Sequence, residues 1–260
     1  MDQQFLSSFD RNIQGKFSYL PSHHKQMTIQ CIENVTFIDS GLHSNMFNIL
    51  YCSDRSIDRA SIHMAIDLFS SKNIPYAFWT GFEDDPSWLE EELLALGLVT
   101  EETEWAMVCD LDKHVATVTF PNFDIRQIND STQIEDIITV MNQILPCEEH
   151  SAIASFYHQS ALPLLSKESS LIFFAAYENR RPIALSSLFY DQAVASIFDV
   201  IVLPEMRGKG LGQAMTLKAM LRAQEKRFQT CVLTATNDAK HLYKKLGFKD
   251  IKTMKVYHQP

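Results

Sequence analysis

Arg207-Gly208-Lys209-Gly210-Leu211-Gly212 places three glycines and two cations within six residues. The apolar run Ile197 to Leu203 and then Pro204 precede it, and a helix-like segment, Gln213 to Arg227, follows. A strand, a glycine loop and a helix suit a phosphate-bearing ligand. Glycine lets backbone N–H groups approach phosphate oxygens, and a helix N-terminus adds partial positive charge. A flexible turn between a strand and a helix has the same composition, so the loop alone leaves both readings open. Two phosphate motifs are excluded. The Walker pattern needs Lys-Ser/Thr after its second glycine, where this chain has Leu211-Gly212. The dinucleotide fingerprint needs an acidic residue at the end of the next strand, and the stretch Thr234-Ala235-Thr236 has none.

Downstream residues narrow the choice. After Thr230 to Thr236, a strand-like run, comes Leu242-Tyr243-Lys244-Lys245-Leu246-Gly247-Phe248, then a final strand, Lys252 to Tyr257. Val202-Leu203-Pro204 leading into the glycine loop, together with the Leu-Tyr-Lys-Lys-Leu-Gly-Phe segment, resembles the GNAT superfamily of acyl-CoA-dependent N-acyltransferases over about residues 120–260. The first motif matches that family's Arg/Gln-x-x-Gly-x-Gly/Ala pyrophosphate loop, and the second its Leu-Tyr-x-x-Leu-Gly-Phe helix.

The resemblance implies acetyl-CoA as co-substrate. Its pyrophosphate would lie on Arg207, Gly208, Lys209, Gly210, Leu211 and Gly212, with Gln213 at the helix start. Its pantetheine arm would run along Val200, Ile201 and Val202, as an extended ligand runs along a strand edge. Tyr243 aligns with the family's tyrosine that protonates the departing thiolate, a task open to a phenol held near sulfur. A core tyrosine on an amphipathic helix is the competing reading. Thr236 and Asn237 stand at the strand end where family members place a cofactor-contacting Ser or Asn, and the spacing to Tyr243 fits Thr236 better. No general base is evident. The strand before the loop offers Asp199, as a base, a substrate anchor, or a surface or bulge residue, with Ser196 three residues earlier. Glu148 and Glu149 fall where relatives contact the acceptor, or in a solvated loop. Cys231 sits mid-strand and reads as packing.

The elements that must position these groups follow from periodicity. Residues 1–25 are left undecided between a short helix and a loop. Strands are expected at Cys31–Ile38, Met46–Cys52, Pro75–Thr80 and Glu104–Leu111, and helices at Ser56–Ser71, capped by Asp54 or Ser56, and Pro86–Leu96. The second half reads as a strand at Phe123–Ile128, a helix from Asp130 or Ser131 to Ile144, and a break at Pro146–His150. A helix at Ser151–Leu165 follows, then strands at Leu171–Tyr177, Ile183–Tyr190 and Val194–Val202. That order is the one a GNAT domain would have. Pro75–Gly81 and Trp88–Leu98, ending Leu96-Gly97-Leu98, echo Thr230–Thr236 and His241–Phe248. The first half lacks a glycine loop, with Asp54 to Ala60 where one would stand. The expected fold is therefore α/β (α+β), with a mixed central sheet flanked by helices. It would be a tandem of a degenerate, truncated copy over 1–117 and a complete acetyltransferase copy over 118–260. An unrelated α/β segment in the first half is the alternative.

Composition sets outer bounds. The chain of 260 residues is 46% hydrophobic and 21% charged, ordinary for a globular protein. Five cysteines with no Cys-x-x-Cys pair, and histidines without metal spacing, argue for free thiols and no metal site. With no leader-like N-terminus and no bilayer-length apolar run, a cytoplasmic location and no membrane partner are expected. Net charge is −9, yet Arg207 to Pro260 holds twelve Lys and Arg against three Asp and Glu, a net of +9. That local excess suits a polyanionic co-substrate; the overall acidity disfavours nucleic acid as a partner. Glu83 to Glu104 holds nine acidic residues and no basic one, either a solvated face or a surface that steers a cationic amine. The expected activity is acyl transfer, acetyl first, to a small-molecule or peptide primary amine by direct attack in a ternary complex. A CoA-binding regulatory or interaction module with little turnover is the alternative.

Overall fold

The computed structural model describes residues 3–53, 56–82, 87–114, 123–191 and 193–259. Among the described residues, no helix is long and apolar enough to cross a membrane. The chain divides into two compact units, residues 1–105 with 252–260, and residues 106–251. The boundary expected at 117/118 lies outside the described residues. The last nine residues, expected in the second domain, cluster with the first unit.

The first unit opens with helix α1 (Gln3–Ser22), where the sequence left the choice open. Leu6, Phe9, Ile13 and Leu20 are its buried face, spaced by three, four and seven. Strands β1 (Thr28–Ile32), β2 (Val35–Asp39) and β3 (Ile49–Cys52) run antiparallel in sequence. The expected strand at Cys31–Ile38 is thus two strands, folded back at Glu33-Asn34, where Glu33 has φ 51°. Helix α2 (Arg59–Ser70) crosses over to β4 (Ala77–Thr80), which pairs parallel with β3. Asp58 caps α2, its carboxylate accepting from the Ser61 backbone N–H at 2.8 Å, in place of the expected Asp54 or Ser56. Asp54 is outside the described residues. Helix α3 (Ser87–Ala95) then leads into β5 (Val99–Asp110), whose residues from Ala106 onward belong to the second unit. Phe37, Phe69 and Tyr76 stack in series through the core, with ring centroids 4.5 and 5.2 Å apart. The acidic segment is partly neutralised here. Glu92 pairs with Arg59 at 3.0 Å and Glu90 with Lys255 at 2.7 Å.

The second unit continues through the short helix α4 (Leu111–His114) to β6 (Asp124–Gln127). Asp130 caps the next helical segment through a capping box with Gln133, and α5 (Ile134–Asn142) follows. The helix expected at Ser151–Leu165 is two, α6 (His150–Gln159) and α7 (Ala161–Leu165), parted at Ser160. Strands β7 (Leu171–Glu178), β8 (Arg181–Tyr190) and β9 (Ala195–Val202) extend the antiparallel set from β6. Helix α8 (Leu211–Glu225) crosses over to β10 (Thr230–Ala235), which pairs parallel with β9. Helix α9 (Lys240–Lys245) precedes β11 (Lys249–His258). Each unit therefore contains antiparallel strands followed by a parallel strand–helix–strand crossover.

Candidate functional site

Strands β9 and β10 diverge. Their ladder runs from Cys231–Ala195 to Leu233–Ile197 and ends there, although β10 continues to Ala235 and β9 to Val202. Strand β8 stays paired with β9 as far as Val202. Beyond Ile197, the edge of β9 that faces β10 is therefore released from the sheet, and strand edges of this kind hold extended ligands. A cleft of about 660 Å³ opens at this end. Val200, Ile201 and Val202 line it from β9, Thr236 from the end of β10, and Tyr243 from α9.

The glycine loop forms the next wall. Arg207, Gly208, Gly210, Leu211, Gly212 and Gln213 all line the cleft. Gly210 is the N-cap of α8 with φ 82° and ψ 4°, a left-handed conformation that costs glycine nothing. No side chain caps this helix end, and helix geometry leaves its first N–H groups without intrahelical acceptors. Gly212 serves close packing instead. A Cβ there would meet Leu242 Cδ1 at 3.1 Å and Val202 Cγ2 at 3.7 Å, so α8 sits hard against α9 and β9. This end of α8 can hold an anion. The first unit's crossover helix differs at the same point, because the Asp58 carboxylate occupies the N–H groups of α2.

Tyr243 is buried at 7% exposure, its ring tilted 68° to Phe248 with centroids 6.0 Å apart. Its helix is fixed at the outer face, where Asp250 takes Lys244 at 2.9 Å and Lys240 at 3.1 Å. Hydrogen bonds from Lys244 and then Lys240, with their charges, hold the Asp250 carboxyl below its ordinary range. The Thr236 carbonyl accepts from the Ala239 and Lys240 N–H groups at 3.2 Å, which turns β10 into α9. Asn237 and Lys209 are exposed and do not line the cleft; the Lys209 ammonium lies 3.6 Å from Met206 Sδ. Ile144, Met206, Asp238, His241 and Lys245 do line it, although no local pattern singles them out.

Asp199 lies just upstream of the cleft's strand wall, at an irregularity. The β8–β9 register slips by one between Leu185–Ile201 and Ser187–Phe198, and Asp199 has φ 53°. This is a β-bulge, and aspartate is among the residues that tolerate the left-handed region. Its Oδ2 accepts from Ser187 Oγ at 2.6 Å. Tyr157 of α6 is buried in the same region. Burial pushes its phenol well above the ordinary range, and the Asp199 charge adds to that. Glu148 is exposed and Glu149 half-buried, in the helical turn before α6. Cys231 is fully buried mid-strand and its thiol is raised by burial, consistent with packing.

Comparison with known proteins agrees with this architecture. The acetyltransferase (GNAT) domain family matches residues 169–250. A [ribosomal protein bS18]-alanine N-acetyltransferase of Haemophilus influenzae is 33% identical over 66 residues, 25% of this chain and 45% of that protein. The matched region thus spans less than half of that relative's length. Among solved structures, a GCN5-related N-acetyltransferase from Kribbella flavida superposes with TM-score 0.69 at 13% identity, covering 96% of this chain and 95% of the other. A conserved protein of unknown function from Staphylococcus epidermidis gives 0.66 at 14%, covering 87% and 90%. A tandem GNAT protein from the clavulanic acid biosynthesis pathway gives 0.58 at 14%, covering 86% and 77%. At these identities the superpositions establish the fold.

Proposed function

Starting from a chain that carries a GNAT acetyltransferase domain, we propose that it transfers an acyl group, acetyl first, from acyl-CoA to a primary amine by direct attack in a ternary complex. The divergence of β9 from β10 carries this reading. It opens one cleft bounded by a left-handed glycine cap, an unpaired strand edge and Tyr243.

The chemistry asks little of the side chains. The N–H groups at the start of α8, with Arg207, Gly208, Lys209 and Gly210 around them, receive the pyrophosphate of acetyl-CoA. Val200, Ile201 and Val202 offer backbone hydrogen bonds to its pantetheine arm, and Thr236 stands at the cleft's far side, with Asn237 beyond the lining. The amine nitrogen attacks the thioester carbonyl, the C–N bond forms and the C–S bond breaks. Tyr243 gives its proton to the departing sulfur, and the nitrogen's proton passes to Asp199 or to water.

Acetyl-CoA consumption against a panel of amines tests the proposal. The panel should include an alanine-initiated peptide, because the Haemophilus influenzae relative is named for that acceptor. Tyr243→Phe keeps the ring packed on Phe248 and removes the hydroxyl. We expect kcat to fall by roughly 10²-fold or more, with CoA affinity kept. CoA binding without turnover on any amine would instead identify a regulatory module.

A further inference from the structure

The Asp199 carboxylate is held by a hydroxyl that no ligand can reach. Side chains alternate between sheet faces, and directly opposed residues share a face. Ser187 opposes Phe173 on β7 and Phe198 on β9, so these three share one face. Tyr157 of α6 packs edge-on against Phe173, at 5.8 Å and 86°, which identifies that face as the one covered by α6. Ser186 takes the other face, its hydroxyl donating to the Met215 carbonyl of α8 at 3.2 Å. In an unbroken strand Asp199 would follow Phe198 to the α8 face, away from Ser187. The extra residue of the bulge and the φ of 53° bring its carboxylate back, and the 2.6 Å bond from Ser187 fixes it there.

The two hydroxyls differ in consequence. Ser186 secures backbone, as a packing serine does. Ser187 is fully buried, yet it spends its donor on a half-buried carboxylate next to the cleft's strand wall. A buried hydroxyl is costly unless bonded, and a left-handed aspartate stores strain of the kind found at functional sites.

We propose that Ser187 is a positioning residue that aims the Asp199 carboxylate at the acceptor's amine, where it accepts a hydrogen bond from the nitrogen and selects for a cationic or primary amine. This rests on the acyl-transfer reading above. Ser187 itself touches no substrate.

The test is a double-mutant cycle on steady-state rates with the best amine of the panel. Ser187→Ala should lower kcat/KM for the amine about tenfold or more, leaving KM for acetyl-CoA unchanged, and Ser187→Thr should restore most of it. Asp199→Asn should lower the same parameter, and Ser187→Ala in that background should add nothing. An equal loss from Ser187→Ala with and without Asp199, or a wild-type rate in Ser187→Ala, overturns the proposal. Melting curves of each variant separate loss of fold from loss of aim. If Ser187→Thr does not fold, the cycle with Asp199→Asn decides alone. A wild type without turnover defeats the acyl-transfer reading, and this one with it. A wild type that turns over, with Asp199→Asn unaffected, defeats this one alone.

Discussion

Replacing Gly210 with alanine separates what the loop does for the fold from what it does for a phosphate. At φ 82° an L-residue is strained, and the left-handed region costs roughly 1–2 kcal/mol. A more restricted unfolded chain returns about 0.4–1 kcal/mol. The net loss is about 1 kcal/mol, or about 2–4 °C in melting temperature for a protein of this size. No atom lies within 4 Å of the added methyl, so sterics within the protein add nothing. The methyl would enter the space over the start of α8. A pyrophosphate seated there would lose one or two charge-assisted hydrogen bonds, each about 1.5–3 kcal/mol. One such bond corresponds to roughly a 10- to 150-fold change in Kd. Gly97 after α3 is the control, with φ 85° and no atom within 4 Å of its built Cβ. Calorimetric titration with CoA, beside thermal melts, reads both quantities. Gly97→Ala should cost similar stability and no affinity, whereas Gly210→Ala should cost both. Equal and small changes in Kd for the two variants would refute the assignment of this loop to phosphate.

Asp58→Ala should lower the melting temperature by about 2–4 °C without touching CoA binding. Hydrogen bonds from the Ser61 backbone and hydroxyl hold the Asp58 carboxyl below its usual range. Its contribution is therefore full above the ordinary carboxylate range and is lost as pH falls through the lowered value, so melts of variant and wild type should converge in acid. For the thiols, Cys31 and Cys147 are exposed and Cys52, Cys109 and Cys231 buried. Burial pushes Cys109 up to about 11, which leaves a thiolate fraction of roughly 10⁻³ at pH 8. Ellman's reagent should therefore titrate two cysteines quickly and five after unfolding; three or more fast thiols would contradict the buried placement.

The glycine loop and the Leu-Tyr-Lys-Lys-Leu-Gly-Phe segment were legible because their signals are local. Glycine at a left-handed cap and a short amphipathic turn need no knowledge of distant residues. Helix α1 also carried its signal, in the spacing of Leu6, Phe9, Ile13 and Leu20, but Pro21 and the absence of a capping pattern obscured it. Ile144 in the cleft wall could not be found this way, since nothing local marks a residue 66 positions before Gly210 as its neighbour in space. A bulge at Asp199 is one of several readings its strand allows. Its partner Ser187 was invisible, because register between strands is set by pairing and not by either strand's own residues. The acidic run looked like one solvated face, yet Glu90 and Glu92 form ion pairs with residues outside it.

The end of β11 lies far from the first unit in sequence but belongs to it. Val256, Tyr257 and His258 pair antiparallel with Trp79, Phe78 and Ala77, and Tyr257 is fully buried in that unit's core. During synthesis, then, the half that is made first stays without this strand until residues 256–258 have been translated and have left the ribosome. β4 keeps an unsatisfied edge throughout that interval, of the sort that invites pairing with other chains. The first unit cannot complete its sheet on its own; it waits on residues 256–258, which follow the second unit.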